Sequence, residues 1–226
     1  MGPVHLLIRL IGHLRSTWTN PDNRQIVKTK LGFLVSHRGT NMQAVIDACN
    51  KGRLNAVAAV VITNNANCKA LDRAKSENIP NFIVNANHNP YPQFNLDSSM
   101  LRILQSHNVD WVVLAGYMKK IGTKVLSAYA GRIINIHPSL LPKYGGKGMY
   151  GRHVHEAVLA AKETETGVTV HIVEEEYDKG PILAQRKIPV DENDTAESLA
   201  QKVLAVEHML LPTTLYKLVS GEIEPI

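Results

Sequence analysis

The chain of 226 residues carries 25 Lys and Arg against 20 Asp and Glu, with 44% hydrophobic and 20% charged residues. These proportions are ordinary for a globular protein and exclude a chain that is mainly disordered. Of the net charge of +5, Arg9, Arg15, Arg24, Lys28 and Lys30 against Asp22 put +4 in residues 1–30, so the remainder has no electrostatic footprint for a nucleic acid.

In chain order, residues 4–11 form a short apolar stretch interrupted by Arg9. This makes a poor secretory signal, and residues 1–30 are expected to be a basic N-terminal extension. Strand-like and helix-like segments then alternate. A buried strand is expected over 31–35, a helix over 42–51, an unbroken apolar strand over 56–63, a helix over 68–77 and a short strand over 81–84. The Asn- and Pro-rich residues 85–93 read as a loop, 94–107 as a helix, 111–114 as a fourth strand and 131–135 as a fifth. A helix over 154–161 precedes two β segments, 168–173 and 182–188, separated by an acidic loop. A final amphipathic helix begins near Ala196 and is expected to break at Pro212.

Continuous apolar strands separated by helices imply a mostly parallel, open twisted sheet covered on both faces, an α/β fold with an antiparallel C-terminal part. The length suits one sizeable α/β domain, or at most a domain with a small appendage, and a single domain is expected over residues 31–226. Cys49 and Cys68 form no close-spaced pair, which argues against a disulfide scaffold or zinc knuckle and for a reducing, cytoplasmic setting. No apolar run approaches the roughly 18 residues of a membrane span.

Ligands of open parallel sheets sit outside the carboxyl ends of the strands, so the loops there carry the chemistry. Ser36-His37-Arg38-Gly39-Thr40-Asn41 joins a strand to a helix start, where backbone N–H groups and the helix dipole favour phosphate. A helix cap from Thr40 or Asn41 would explain the same residues. It lacks the Gly-Lys-Ser of a Walker loop and the three glycines of a dinucleotide fingerprint.

Asn135-Ile136-His137-Pro138 ends the fifth strand. Residues two apart on an extended chain share a face, and Pro138 disfavours the helical region for His137. The amide of Asn135 and the imidazole of His137 are thereby able to converge on one substrate atom, the first donating to an oxyanion and the second moving a proton. In the acidic turn Glu174-Glu175-Glu176-Tyr177-Asp178-Lys179-Gly180-Pro181, Asp178 is the carboxylate suited to orient His137 and raise its pKa. Glu207 lies on an apolar stripe with Leu199, Val203 and Leu211, and a carboxylate so placed requires a partner such as sugar hydroxyls. His153 and His155 lack the helical i, i+4 metal spacing and no Gly-x-Ser-x-Gly elbow is present, so a metal-free acid/base mechanism is expected.

These residues, with Leu114-Ala115-Gly116-Tyr117-Met118, Thr166-Gly167-Val168-Thr169-Val170-His171 and Tyr177-Asp178-Lys179-Gly180-Pro181, resemble the glycinamide ribonucleotide formyltransferase family over about residues 31–215. The resemblance implies formyl transfer from 10-formyltetrahydrofolate to the amine of phosphoribosylglycinamide, in purine biosynthesis. It assigns Asn135, His137 and Asp178 to catalysis, Gly39, Thr40 and Asn41 to substrate phosphate, and Glu207 to the ribose. Met118, Lys119, Lys120 and Ile121, with Glu174, Glu175, Glu176, Tyr177, Asp178 and Asn135, would line the folate pocket.

The chain departs from the family in having His37 where a glycine is common, no clear counterpart of a folate-contacting Arg within residues 89–95, and a longer loop over 145–151. The partners implied are small molecules alone, with no nucleic acid or membrane, and a monomer or homodimer. The alternatives are a formyltetrahydrofolate hydrolase or another formyl-folate transferase on the same core. These are expected to carry an N-terminal regulatory or C-terminal RNA-binding domain, for which the residues outside 31–215 are too few.

Overall fold

The apolar runs bounded by turn residues become the strands of one sheet in the computed structural model, which describes residues 27–224. The N-terminal extension therefore lies outside the described residues, except where the first strand has already begun at Thr29. The strands are β1 (Thr29–Val35), β2 (Ala56–Thr63), β3 (Asn81–Ile83), β4 (Trp111–Leu114), β5 (Ile133–His137), β6 (Glu165–Ile172) and β7 (Ile182–Pro189). They lie in the order β3-β2-β1-β4-β5-β6-β7. Pairings from β3 through β5 are parallel, whereas β6 runs antiparallel to both β5 and β7. This is the mostly parallel sheet with an antiparallel C-terminal part that the segment pattern implies.

The helices are α1 (Thr40–Asn50), α2 (Lys69–Ser76), α3 (Leu96–Ser106), α4 (Thr123–Ala128), α5 (Arg152–Ala160) and α6 (Ala196–Val219). Alternation along β1 divides the core: Leu31, Phe33 and Val35 pack with α1, α2, α5 and α6, while Leu34 faces α3 and α4. Each such fully buried large side chain contributes on the order of 1.5–3 kcal/mol. Gly32 permits α3 to approach closely, since a Cβ there would lie 2.8 Å from Leu104. Helix α4, six residues with only Val125 buried, is too short and weakly periodic for its sequence to announce it.

Helix α6 corrects an expectation, because it runs unbroken through Pro212. Proline withholds one backbone donor and crowds the preceding turn. However, Val203, Leu211 and Leu215 are buried in the same core on either side of it, so packing outweighs the local penalty. The N-terminus of α6 is set by a reciprocal capping box between Thr195 and Ser198.

Candidate active site

The chain moves outward from β1 to β3, then returns to add β4 on the other side of β1. The C-terminal ends of β1 and β4 thus diverge into different loops and open a crevice between them. Ser36 stitches its base: its N–H donates to the Gly116 carbonyl at 3.1 Å, its hydroxyl to Asn64 Oδ1 at 2.6 Å, and it accepts the Met118 N–H at 2.9 Å.

At one end of the crevice lies the start of α1. Gly39 is its N-cap at φ 67°, and no side chain caps the helix. A side chain at Gly39 would be strained by that backbone angle and would meet Ala70 Cβ at 2.7 Å. Thr40 and Asn41 are therefore not spent on capping. Asn41 instead turns inward, its Nδ2 donating to Glu207 Oε2 at 3.1 Å, while its Oδ1 is buried without a partner.

Helix α6 carries Glu207 on the face of Leu199, Val203 and Leu211, and only 8% of it is exposed. Burial pushes its carboxyl up to about 7, against the smaller lowering effect of the Asn41 amide. Because the folded-state pKa exceeds the unfolded one, the native protein holds the extra proton between pH 4.5 and about 7. Stability from this group is full below that window and is lost as pH rises through it. Glu207→Gln is expected to remove the dependence, so that thermal melts at pH 8 show the variant gaining on the wild type relative to pH 5. Equal pH profiles for the two proteins would contradict a neutral buried carboxyl.

At the other end, β5 ends in Asn135-Ile136-His137, with both polar side chains on one face. The antiparallel register sets His171 of β6 opposite Asn135, and Thr169 opposite His137. Directly opposed residues share a face, so His171 enters the same cluster, a role the strand pattern alone did not assign it. His171 Nδ1 lies 2.8 Å from the Ile172 carbonyl, which requires the proton on Nδ1. Its Nε2 then accepts from Asn135 Nδ2 at 3.1 Å. That contact fixes the amide orientation and leaves the second Nδ2 hydrogen for the cavity.

His137 Nε2 lies 2.8 Å from the Tyr144 carbonyl and must donate to it. In the neutral ring the lone pair is therefore on Nδ1, which faces Asp178 Oδ1 at 3.7 Å. Asp178, at φ 57° in the turn after β6, also lies 3.5 Å from His171 Nε2 and accepts the Gly146 N–H at 2.8 Å. Burial raises the Asp178 carboxyl, but the Gly146 N–H, together with the positive charge that His171 and His137 present when protonated, more than offsets this and holds it below its ordinary value.

The expectation that Asp178 raises the His137 pKa holds only as a partial effect. Burial pulls the imidazole below its usual value, and the opposing pull of Asp178 and the Tyr144 carbonyl does not recover it. With His137 only 4% exposed and the carboxylate beyond hydrogen-bond distance, desolvation wins. The resting imidazole is neutral, ready to take a proton.

Both ends open into one cavity of about 670 Å³, within the size range of small-ligand sites. Asn41, Met118, Lys119, Lys120, Ile121, Asn135, His137, Glu174, Glu175, Glu176, Tyr177, Asp178 and Glu207 all line it. Gly39 and Thr40 do not; they stand behind Asn41 at the helix start. Arg38, within the loop read as suited to phosphate, and His155, set aside above as a metal ligand, line it as well. His155, on the first turns of α5, is buried with Nδ1 unpartnered, and its burial lowers its pKa. No signal in the local sequence distinguishes such a histidine from an ordinary core one. Among the described residues, no group of three or more His, Cys, Asp or Glu is placed to hold a metal ion.

Fold and crevice define an open α/β protein with an acid/base cluster at the switch point of its sheet. Residues 29–215 match the formyl transferase family model. The phosphoribosylglycinamide formyltransferase of Haemophilus influenzae is 39% identical over 194 residues, covering 86% of this chain and 89% of that protein. The chloroplastic phosphoribosylglycinamide formyltransferase of Arabidopsis thaliana is 41% identical over 184 residues, and the match covers 81% of this chain but 63% of that longer protein. A crystal structure of phosphoribosylglycinamide formyltransferase from Bacillus halodurans superposes with a TM-score of 0.78 at 38% identity, covering 86% of this chain and 97% of that one. The chain belongs to the formyl transferase family.

Proposed function

We propose that the chain is a single catalytic domain that transfers a formyl group from 10-formyltetrahydrofolate to the amine of 5-phosphoribosylglycinamide, a step of purine biosynthesis. The observation that carries this reading is that one cavity joins the Asn135–His137–Asp178 cluster to the Asn41–Glu207 pair, a reacting centre at one end and a polar anchor at the other. The α1 start, with Gly39, Thr40 and Asn41, suits the phosphate. Glu207 suits the ribose, since hydroxyl donors would satisfy a carboxyl now met only by Asn41. Met118, Lys119, Lys120, Ile121 and the turn 174–178 suit the folate, with apolar wall and charged rim together.

In this reading the amine attacks the formyl carbon and negative charge develops on the formyl oxygen. Asn135 donates its free Nδ2 hydrogen to that oxygen. His137 accepts the amine proton at Nδ1, Asp178 stabilises the imidazolium that results, and the same proton then goes to the departing folate nitrogen. His171 keeps the Asn135 amide turned the right way. This reading is compatible with a monomer or a homodimer. Cys49 and Cys68 are both buried free thiols, which suits a reducing compartment such as the cytoplasm, and no described helix is long and apolar enough to cross a membrane.

Purified protein supplied with 10-formyltetrahydrofolate and phosphoribosylglycinamide is expected to form formylated product at a rate that depends on the amine. Release of formate regardless of the amine would point instead to a hydrolase on the same core. The Asn41–Glu207 pair favours transfer, because a hydrolase has no use for an anchor at the far end of the cavity.

A further inference from the structure

The segment after Pro142 spans the back of the catalytic cluster and touches both halves of it: the Tyr144 carbonyl accepts from His137 Nε2 at 2.8 Å, and the Gly146 N–H donates to Asp178 at 2.8 Å. What holds this strap lies on its other side. Glu163, just beyond α5, accepts from Lys143 Nζ at 2.8 Å and from the Tyr144 hydroxyl at 2.9 Å. Ser139 Oγ donates to the Lys143 carbonyl at 2.6 Å, and Tyr144 itself has a φ of 55°, a conformation that needs outside support in a non-glycine residue. Lys143, Tyr144 and Glu163 line a separate hollow of about 260 Å³, none of whose lining residues borders the main cavity.

We propose that Glu163 is a positioning residue for the reaction: by gripping the Tyr144 hydroxyl it sets the Tyr144 carbonyl that keeps the His137 proton on Nε2 and the lone pair on Nδ1. Without that carbonyl, either ring nitrogen of the neutral imidazole is able to hold the proton, and the tautomer with Nδ1–H cannot accept the amine proton where Asp178 awaits the cation. The Lys143–Glu163 pair adds little, because the Lys143 side chain is 65% exposed. The half-buried Tyr144 hydroxyl carries the effect.

The other groups facing His137 are Asp178 in the turn after β6, His171 on β6 and His155 on α5, and Glu163 contacts none of them. The Tyr144 carbonyl favours the His137 cation. Loosening it therefore moves the acid limb of the rate profile to lower pH.

The inference rests on the formyl-transfer reading for its kinetic consequence, yet the tautomer of His137 is measurable in the resting protein. Tyr144→Phe and Glu163→Ala are each expected to lower kcat about tenfold, with both KM values unchanged and the acid limb shifted downward. Glu163→Gln, which retains an oxygen for the Tyr144 hydroxyl, restores the rate, and Lys143→Met leaves it intact. The 15N shifts of His137 change from an Nε2–H pattern in the wild type to mixed tautomers in Tyr144→Phe. An unaltered tautomer in Tyr144→Phe, or a rise in KM at unchanged kcat, overturns the proposal. If the wild type transfers no formyl group, the kinetic reading fails while the 15N measurement still decides the positioning.

Discussion

Replacing His137 by alanine is expected to lower kcat by roughly 10²–10⁴-fold, the span that general acid/base catalysis by one positioned side chain supplies. The imidazole has no second way to act. Its Nε2–H is committed to the Tyr144 carbonyl, so the proton passes only through Nδ1, with Asp178 3.7 Å away. Because burial holds its pKa below the usual value, the wild type has the neutral, accepting form at neutral pH. Its rate falls only when the pH drops below the usual histidine range, and His137→Ala loses that limb. Binding of the folate, measured by fluorescence titration, stays near the wild-type level, since the ring is one small part of a cavity of about 670 Å³. Wild-type turnover in the variant would remove His137 from the mechanism.

The second large effect is expected at Asn135. Asn135→Ala removes the donor aimed at the developing oxyanion, a change that costs about 10²–10³-fold in kcat at comparable sites. The formyl oxygen needs that donor most once it bears charge, so kcat falls while KM for the formyl donor changes little. Asn135→Asp, which is nearly the same shape, does not rescue the rate: it replaces the donor by an acceptor and puts a second carboxylate near Asp178. Loss confined to KM in Asn135→Ala would show that the amide serves ground-state binding instead. The alanine variant also frees His171 Nε2 from its partner, so a companion His171→Gln variant separates the two roles: it is expected to lose part of the rate by letting the Asn135 amide turn.

Much of this was legible along the chain. The apolar runs 31–35, 56–63 and 111–114 declared buried strands because nothing polar interrupts them, and the register shows them paired in parallel at the centre of the sheet. Asn135 and His137 were recognisable as a same-face pair because strand geometry has a period of two, a local property. Glu207 stood out because a carboxylate in a stripe with Leu199, Val203 and Leu211 breaks the helical pattern, and the structure buries it with them.

Other features were not legible, for reasons specific to each residue. His171 and Asn135 are 36 positions apart, and only the antiparallel register of β5 and β6 makes them opposite. The break expected at Pro212 rests on a local rule that the tertiary packing of α6 overrides. The direction of the His137 shift depended on how much water the fold removes from the ring compared with how near Asp178 comes, and residue type and order carry neither quantity.

Sequence alone therefore determined most of the elements and the chemical types at the strand ends, since these follow from short-range periodicity and backbone preference, but neither α4 nor the continuity of α6 through Pro212. Tertiary structure alone decided which of those groups meet, which nitrogen of His137 is free, and that Asn41 and Glu207, 166 residues apart, share one cavity with it. The physical reason is that hydrogen-bond partners, burial and proton positions are properties of distances between segments, and those distances exist only after the sheet has closed around its switch point.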